Sequence, residues 1–395
     1  MAAVGARRVY LDNAATTRVS DAAFAAMEPF LRGEFGNPSA LYAEARTARA
    51  AVEQARECIA GFIGAAPEEI HFTSCGTESD NWAIKSVMRE WAKAAGRKGR
   101  FVTTAFEHPA VLNSAAALRD EGFDVAYAGV DRKGFVDEAS FEAALAPQTD
   151  LCSAMLANNE VGTIQPIARL SAAAHETGAL FHCDAVQAFG HIPVNVDDLG
   201  VDYLSVSGHK FHGPKGVGFL YARVGAPLAP FVDGGHQESG LRGGTENVAG
   251  IAGMAAAARE ACEGMAETAA RVAGLRDALQ AGILERIEGT CVNGEGPRVP
   301  GTLNVSIDGI DSAALVELLD EHGVCASGGS ACSSHEGQPS HVLVAMGLEM
   351  RRIQGAVRFS LSDETTASDI EYAVQALAEC VEQLRGFGLI DLSSL

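Results

Sequence analysis

One lysine stands where a covalent catalyst would be placed. The chain holds six lysines, and Lys210 is the one that comes just after the apolar, strand-like run Tyr203–Val206, in the segment Ser-Gly-His-Lys. Lysine can form an imine with an aldehyde, whereas arginine stays protonated and serves to bind anions. On this residue alone, a solvated loop lysine remains the alternative.

Two other polar residues follow predicted strands. Asp184 comes after Ala179–Cys183, and a carboxylate there is costly to bury unless it meets a cation or a strong donor. The pyridinium nitrogen of pyridoxal phosphate is such a partner, and a helix N-cap is the alternative. His108 follows the run Arg100–Thr104 and could exchange protons near neutral pH, although a lone histidine is more often structural.

A fourth candidate is the segment Ser74–Ser79, Ser-Cys-Gly-Thr-Glu-Ser, between a predicted strand and a predicted helix. Glycine and hydroxyl residues that open a helix present backbone N–H groups to an anion. The segment has neither the G-x-x-x-x-G-K-[ST] nor the G-x-G-x-x-G spacing, so nucleoside triphosphates and dinucleotides are poor candidates. A capping box is the alternative.

Alternating strands and helices must position these residues. Seven apolar runs predict strands: Glu69–Thr73, Arg100–Thr104, Asp124–Ala128, Asp150–Leu156, Ala179–Cys183, Asp202–Ser207 and Gly216–Tyr221. Amphipathic segments of helical length separate most of them, among them Thr77–Lys93, Pro109–Arg119 and Ile167–Glu176. This alternation predicts an α/β fold with a mainly parallel, buried sheet, whose ligands bind at the carboxyl ends of the strands.

The pattern also predicts two lobes. A large domain is expected over residues 20–262, and a smaller α/β domain over residues 1–19 and 263–395. A long helix over Thr245–Arg286 is expected to join them, and strands are expected at Gly301–Ile307 and Ala356–Leu361.

Composition excludes several classes of function. Thirty lysines and arginines against 51 aspartates and glutamates give a formal net charge of −21, which argues against nucleic-acid binding and against docking on anionic lipid. Apolar runs are too short to span a membrane, and no signal-peptide pattern is present. The nine cysteines include no C-x-x-C pair, so neither a disulfide framework nor a structural zinc site is expected. A cytoplasmic protein without a bound metal is the expectation.

The motifs together resemble a known family, the cysteine desulfurases. These are pyridoxal-phosphate enzymes of the class V aminotransferase group, with the fold-type I architecture and a mainly parallel seven-stranded sheet. The matching segments run through nearly the whole chain: Tyr10–Thr17, Phe35–Ser39, Thr73–Ser79, Glu107–Ala110, Asn158–Thr163, Asp184–Gln187, Ser207–Lys210, Gly213–Gly216, Gly240–Asn247 and Ser327–Cys332.

The resemblance implies roles for the residues singled out above. Lys210 would bind the coenzyme as an imine and later move the α-proton of the substrate, while His108 would stack on the ring and assist proton transfer. Asp184 would pair with the pyridine nitrogen, and Gln187 would hydrogen-bond the phenolic oxygen. The phosphate would be held by Gly76, Thr77, Ser207 and His209.

The resemblance also implies how substrate and subunits meet. Arg358 would clamp the substrate carboxylate, for which a bidentate fork suits better than a lysine point charge. Asn159 would lie near the cofactor and the substrate amine. Thr245 would reach the phosphate of the neighbouring subunit, which implies a homodimer with shared sites.

Cys332 is the distinctive residue. It lies in a run from Ala326 to His335 that is too rich in glycine and serine for a buried strand or helix, so we expect an exposed, mobile thiol. The resemblance implies that its thiolate attacks the sulfur of the bound L-cysteine, leaving L-alanine and an enzyme persulfide. The spacing to Pro339 resembles the longer-loop NifS and IscS types, which pass sulfur to acceptors such as an iron–sulfur scaffold protein.

Departures and alternatives remain. Ser239 replaces a family arginine, and Cys75 replaces a small residue beside the predicted phosphate loop. A selenocysteine lyase or another class V enzyme, such as an aminotransferase, is the alternative reading, as is a catalytically idle sulfur-relay scaffold. Cys332 favours a desulfurase, because selenocysteine lysis and transamination need no thiol nucleophile. Lys210, Asp184 and His108 together argue against an idle scaffold.

Overall fold

The computed structural model describes residues 7–328 and 339–388. The strands in these ranges are β1 Val9–Tyr10, β2 Ile70–Thr73, β3 Arg100–Thr104, β4 Asp124–Ala128, β5 Thr149–Met155, β6 Leu180–Asp184, β7 Tyr203–Ser207, β8 Gly218–Ala222, β9 Thr290–Asn293, β10 Thr302–Ile307, β11 Val324–Cys325 and β12 Ala356–Ser360. The α-helices are α1 Asp21–Arg32, α2 Ala43–Ile63, α3 Gly76–Asn81, α4 Val87–Ala95, α5 Pro109–Asp120, α6 Glu138–Ala144, α7 Ile167–Glu176, α8 Val196–Leu199, α9 Val248–Glu263, α10 Met265–Arg286, α11 Ser312–Glu321, α12 His341–Ala345, α13 Met350–Gln354 and α14 Ala367–Gly388.

A seven-stranded sheet forms the larger layer, in the order β2-β8-β7-β6-β5-β3-β4. Its pairings are parallel except those of β8, which runs antiparallel to both β2 and β7. The connection from β7 to β8 is too short for the crossover that parallel neighbours need, so the two strands pair as a hairpin. The expected α/β fold with a mainly parallel seven-stranded sheet is confirmed.

The seven-stranded sheet is buried on both faces. Every residue of β2, β5, β7 and β8 is buried, as expected for strands that helices cover on two sides. The parallel strands end at one edge of the sheet, so the segments after β3, β6 and β7 meet there.

A smaller antiparallel sheet, β12-β10-β9, lies against α10, α11 and α14 and forms its own apolar cluster. The N-terminal segment contacts both layers. Leu11 belongs to the smaller cluster, while the Thr17 hydroxyl donates to the His209 carbonyl at 3.0 Å. The division into residues 20–262 and the remainder stays a prediction.

Two local differences from the sequence expectations have physical causes. The helix expected over Thr245–Arg286 is two helices, because Gly264 between α9 and α10 leaves the helical conformation at φ −101° and ψ 8°. The sequence patterns did not predict α1, which contains Pro29. Ser20 nevertheless caps it by accepting from the Ala23 N–H at 3.1 Å.

Over the described ranges, no helix combines the length and the apolar character that crossing a membrane would require.

Candidate active site

Lys210 lies in a short turn, Gly208–Lys210, that directly follows β7. Its ammonium donates to the carbonyls of Ala14 and Ala15, at 2.6 and 2.9 Å. Its own carbonyl lies 3.0 Å from Nε2 of His191. The N-terminal segment therefore holds the lysine amine at the carboxyl edge of the sheet, through two backbone carbonyls that the motifs had not singled out.

Asp184 is the last residue of β6 and is buried. Its Oδ1 accepts from the Val186 N–H at 2.9 Å. Burial raises its pKa, and the Val186 N–H and the charge of Lys210 offset part of that rise. Gln187 donates to the Ala14 carbonyl at 2.9 Å, the same carbonyl that accepts from Lys210. Asp184, Gln187 and Lys210 therefore lie near one another at this edge of the sheet.

His108 caps α5 and is neutral at physiological pH. Its Nδ1 accepts from the Ala110 N–H at 3.1 Å, so the neutral ring carries its proton on Nε2. Burial, followed by the charges of Lys210 and His341, lowers its pKa to about 4. The ring is therefore a neutral group with an N–H to give, close enough to Lys210 to sense its charge.

The predicted anion site lies at the start of a continuous helical segment, since α3 leads through a π-turn at Trp82–Ser86 into α4. A Cβ atom at Gly76 would stand 2.6 Å from Val186 Cγ2 and 3.4 Å from Ser207 Cβ. Ser207 Oγ is buried without a hydrogen-bond partner among the described residues. A buried hydroxyl without a partner is unfavourable, and an anionic ligand at the helix start would satisfy it.

The remaining phosphate candidates differ in their surroundings. His209 Nδ1 lies 3.0 Å from Thr16 Oγ1, and burial followed by the charges of Lys210 and Lys215 lowers the pKa of His209 to about 4. Thr77 is exposed at the helix start, and Thr245 is exposed on its loop.

Arg358, on β12, is already engaged by the protein. Its side chain is only 2% exposed; Nη1 donates to the Asn159 carbonyl at 2.8 Å and Nη2 to Asp12 Oδ1 at 2.7 Å. Within the described ranges, Arg358 Nε and Asn159 Oδ1 are buried without hydrogen-bond partners. One buried donor and one buried acceptor near this contact are therefore unsatisfied within the described residues. Asp12 occupies part of the fork that the resemblance assigns to a substrate carboxylate.

Three further buried ionisable groups, which the sequence analysis did not single out, surround this edge of the sheet. Asp80 and Glu107 have raised pKa values because they are buried, and His182 has a lowered pKa for the same reason. Glu107 lies in the motif segment Glu107–Ala110, but the local sequence does not show that these three side chains are buried, because their burial comes from elements that are distant in the chain. Cys332 lies outside the described residues. Among the residues the structure does describe, no group of three His, Cys, Asp or Glu could hold a metal ion.

Similar proteins share this architecture and sequence. Residues 9–373 match the family described as aminotransferase class V. The chain is 47% identical over 381 residues to the cysteine desulfurase IscS of Dictyoglomus turgidum, covering 96% of each chain. It is also 47% identical over 380 residues to a cysteine desulfurase of Gluconacetobacter diazotrophicus, covering 95% of this chain and 94% of the relative.

Solved structures agree with these relatives. A NifS-like protein superposes with a TM-score of 0.90 at 41% identity, covering 96% of this chain and all of the other. SspA in complex with cysteine superposes with a TM-score of 0.80 at 36% identity, covering 91% of this chain and all of the other. The residues brought together at the carboxyl edge of the sheet are those of the motifs that suggested the family. The chain belongs to the class V aminotransferase family, and within it resembles the cysteine desulfurases.

Proposed function

We propose that this chain is a pyridoxal-phosphate-dependent cysteine desulfurase that converts L-cysteine to L-alanine and takes the sulfur onto Cys332 as a persulfide. The observation that carries the proposal is the gathering of Lys210, Asp184 and His108 at one edge of the sheet, beside buried polar atoms that have no partner within the described part of the chain. The names of the relatives support the choice of L-cysteine.

The residues present fit the coenzyme. Lys210 would bind its aldehyde carbon, Asp184 the ring nitrogen and Gln187 the ring oxygen, while His108 would lie against the ring. The phosphate would be held by Gly76, Thr77, Ser207, His209 and, from a second subunit, Thr245. When bound, pyridoxal phosphate supplies an electron sink next to the α-carbon of the substrate.

The unsatisfied atoms describe how an amino acid would bind. Arg358 Nε would donate to the substrate carboxylate, and Asn159 Oδ1 would accept from the substrate amine. A ligand that carries both a carboxylate and an amine, as an amino acid does, would satisfy the buried donor and the buried acceptor at the same time. Lys210 would move the α-proton, and neutral His108 would hold a proton at Nε2 for transfer to or from the substrate.

The sulfur step balances without an outside oxidant. The thiolate of Cys332 bonds to the substrate sulfur as the carbon–sulfur bond breaks, and the β-carbon takes a proton to give L-alanine. One thiol and L-cysteine become one persulfide and L-alanine. The persulfide then passes to an acceptor protein, for which an iron–sulfur scaffold is our proposal. The eight cysteines in the described ranges are all free thiols, which suits a reducing compartment such as the cytoplasm.

Cys332→Ser tests the sulfur step. We expect the variant to bind the coenzyme normally but to form neither persulfide nor L-alanine from L-cysteine, while keeping activity towards L-selenocysteine. Cys291→Ser, at a partly exposed cysteine on β9, is the matched control and should behave as wild type. Wild-type rates from Cys332→Ser would exclude the nucleophile assignment.

Borohydride reduction tests the cofactor assignment. Reduction of the loaded protein should attach the coenzyme permanently, and peptide mass spectrometry should find it on Lys210 alone. Lys210→Ala should show no attachment and no turnover. Attachment to another lysine would contradict the site.

We further propose a homodimer. Four large apolar side chains on and just after α1 are strongly exposed in the single chain: Phe24 at 56%, Leu31 at 59%, Phe35 at 78% and Leu41 at 88%. Exposed apolar side chains concentrated in one stretch of the chain suit an interface between copies. Light scattering should give twice the mass of the 41.1 kDa chain. In mixed dimers that pair Thr245→Ala with Lys210→Ala subunits, the site that keeps Lys210 receives an intact Thr245 from its partner and should bind the coenzyme as wild type does. Thr245→Ala homodimers should bind it more weakly, and equally weak binding at the Lys210 site of the mixed dimers would contradict the shared site.

A further inference from the structure

His212 joins three segments that meet beside Lys210. It stands two residues after the lysine in a left-handed conformation, with φ at 66°. Its N–H donates to Thr17 Oγ1 at 2.8 Å, and its carbonyl accepts from the Ser20 N–H at 3.0 Å. The backbone of His212 therefore ties the lysine turn to the same N-terminal segment whose carbonyls hold the lysine amine.

The ring of His212 extends the connection to the smaller sheet. Nδ1 lies 3.0 Å from the Arg18 carbonyl, and Nε2 lies 2.9 Å from Asp363 Oδ1. A carbonyl and a carboxylate are both acceptors without hydrogens of their own, so both ring nitrogens must donate. The two contacts form together only when the imidazole is protonated and carries a positive charge.

The electrostatics agree with this geometry. Burial lowers the pKa of His212, but the hydrogen bond and charge of Asp363, helped by the Arg18 carbonyl and by Glu364, raise it further than burial lowers it. The hydrogen bond from His212 lowers the pKa of Asp363. The ring is 15% exposed and the carboxylate 51% exposed, so solvent screens the pair in part.

Other charges face the pair from every element around it. The Arg18 guanidinium lies 3.3 Å from Asp21 and 3.6 Å from Glu364, and Arg271 donates to the Asp363 carbonyl at 2.6 Å. Half-buried His191 senses the charge of His212, and Glu260 lines the adjoining cavity of about 310 Å³. Positive and negative groups both surround the pair, and Asp363 is the charged group that contacts the His212 ring directly.

Asp363 lies on the segment that directly follows β12, the strand that carries Arg358. We propose that protonated His212 is a positioning residue that holds the lysine turn, the N-terminal segment and the β12 segment in the arrangement that binds the substrate amino acid. This inference rests on the proposed function for the identity of the substrate. The charged clamp, meaning the protonated His212 ring with the Arg18 carbonyl and the Asp363 carboxylate, does not depend on that function. A neutral ring can keep only one of its two donors, so one connection is lost when the proton leaves.

The expected consequence is a change in KM with little change in kcat. If only the protonated form binds substrate well, the observed KM is the intrinsic value divided by the protonated fraction. Above the pKa of His212, KM should then rise about tenfold for each unit by which a variant lowers that pKa. The kcat at saturating L-cysteine should stay the same, because the bound substrate reassembles the clamp.

Asp363→Asn is the test, made in the loaded wild-type protein and the loaded variant. The variant keeps an acceptor for the ring but loses the negative charge. The His212 ring is titrated by NMR of histidine-labelled protein, with His212→Gln to identify the signal, and KM and kcat for L-cysteine are measured at the same pH values. Asp21→Asn is the matched control, because Asp21 lines the same cavity and is fully exposed but contacts Arg18 rather than His212.

We expect His212 to titrate above its ordinary value in wild type and in Asp21→Asn, and at a lower pH in Asp363→Asn. The midpoint of the KM profile should move by the same amount. A wild-type His212 that titrates at or below the ordinary value would overturn the clamp. So would a variant whose ring titration moves while its KM profile does not. If neither protein forms L-alanine at any pH, the proposed function fails instead, and the ring titration still decides whether the charged clamp exists.

Discussion

Glu107 should make the stability of this protein fall as the pH rises. The residue follows β3 and is completely buried. Its Oε1 accepts from Thr104 Oγ1 at 2.5 Å and from the Met155 N–H at 3.0 Å, while Oε2 is buried without a partner in the described part of the chain. Burial raises the pKa of Glu107 to about 8. At neutral pH the native carboxyl is therefore protonated, whereas the same group in the unfolded chain is ionised.

The size of the effect follows from linkage. The native pKa is raised, so this group's contribution to stability is fully present below its ordinary pKa of about 4.5 and declines as the pH rises towards about 8. Each pH unit inside that window lowers the free energy of unfolding by about 1.4 kcal/mol. Between pH 5 and pH 8 the loss from Glu107 is on the order of 4 kcal/mol.

Glu107→Gln removes the ionisable carboxyl group and keeps the size and shape of the side chain. The amide oxygen still accepts from Thr104 and Met155, and the amide nitrogen replaces the protonated Oε2. We expect the variant to gain about 4 kcal/mol of unfolding free energy relative to wild type between pH 5 and pH 8. Urea unfolding and refolding, followed by circular dichroism with both proteins in the same cofactor state, would measure the difference.

Glu68→Gln, at an exposed glutamate, is the control and should follow wild type at every pH. A difference between Glu107→Gln and wild type that stays constant from pH 5 to pH 8 would refute the reasoning, because it would mean that Glu107 is ionised in the native protein. A difference that changes in the opposite direction would refute it equally.

Three further substitutions test single contacts. Asp12→Asn should lower KM for L-cysteine in initial-rate assays, because it removes the carboxylate that competes for Arg358; an unchanged KM would contradict that competition. Ser207→Ala should leave the unfolding free energy of the coenzyme-free protein unchanged or raise it by about 1 kcal/mol, because the hydroxyl has no partner among the residues that the structure describes. The same change should weaken coenzyme binding in a fluorescence titration. Glu238→Gln should lower the unfolding free energy, measured by urea unfolding, by about 3 kcal/mol. The substitution leaves the charge of Arg56, whose side chain is only 12% exposed, without its buried carboxylate. A loss below about 0.5 kcal/mol, the size expected for an ion pair at the surface, would contradict this prediction.

The sequence predicted the sheet well because strand formation here is a local property. The bounds predicted for β3 and β4 agree with the structure, as do those of α7. Each is an apolar run or an amphipathic stretch, bounded by residues that end it. The predicted order of motifs also placed Lys210, Asp184 and His108 at a common edge, because parallel strands bring their carboxyl ends together.

The contacts that adjust the site could not be predicted in this way. Asp12 meets Arg358 across 346 residues, and Arg56 meets Glu238 across 182. Periodicity identifies the face of an element but not which distant charge will lie against it. The family resemblance assigned Arg358 to a substrate carboxylate, and only the fold shows that a carboxylate of the protein already contacts it.

Burial also sets the charge of the site before any ligand binds. Glu107 keeps its proton at neutral pH and His108 stays neutral, so neither places a full charge at this edge of the sheet. Asp80 is pushed towards its neutral form by burial and by the nearby charge of Asp184. In a medium of low polarity a second anion would compete with Asp184 for any cation, and a protonated histidine would weaken the pull of Asp184. With these neighbours neutral, they do not offset the opposed charges of Asp184 and Lys210, which would help to orient a ring that carries a protonated nitrogen and an aldehyde.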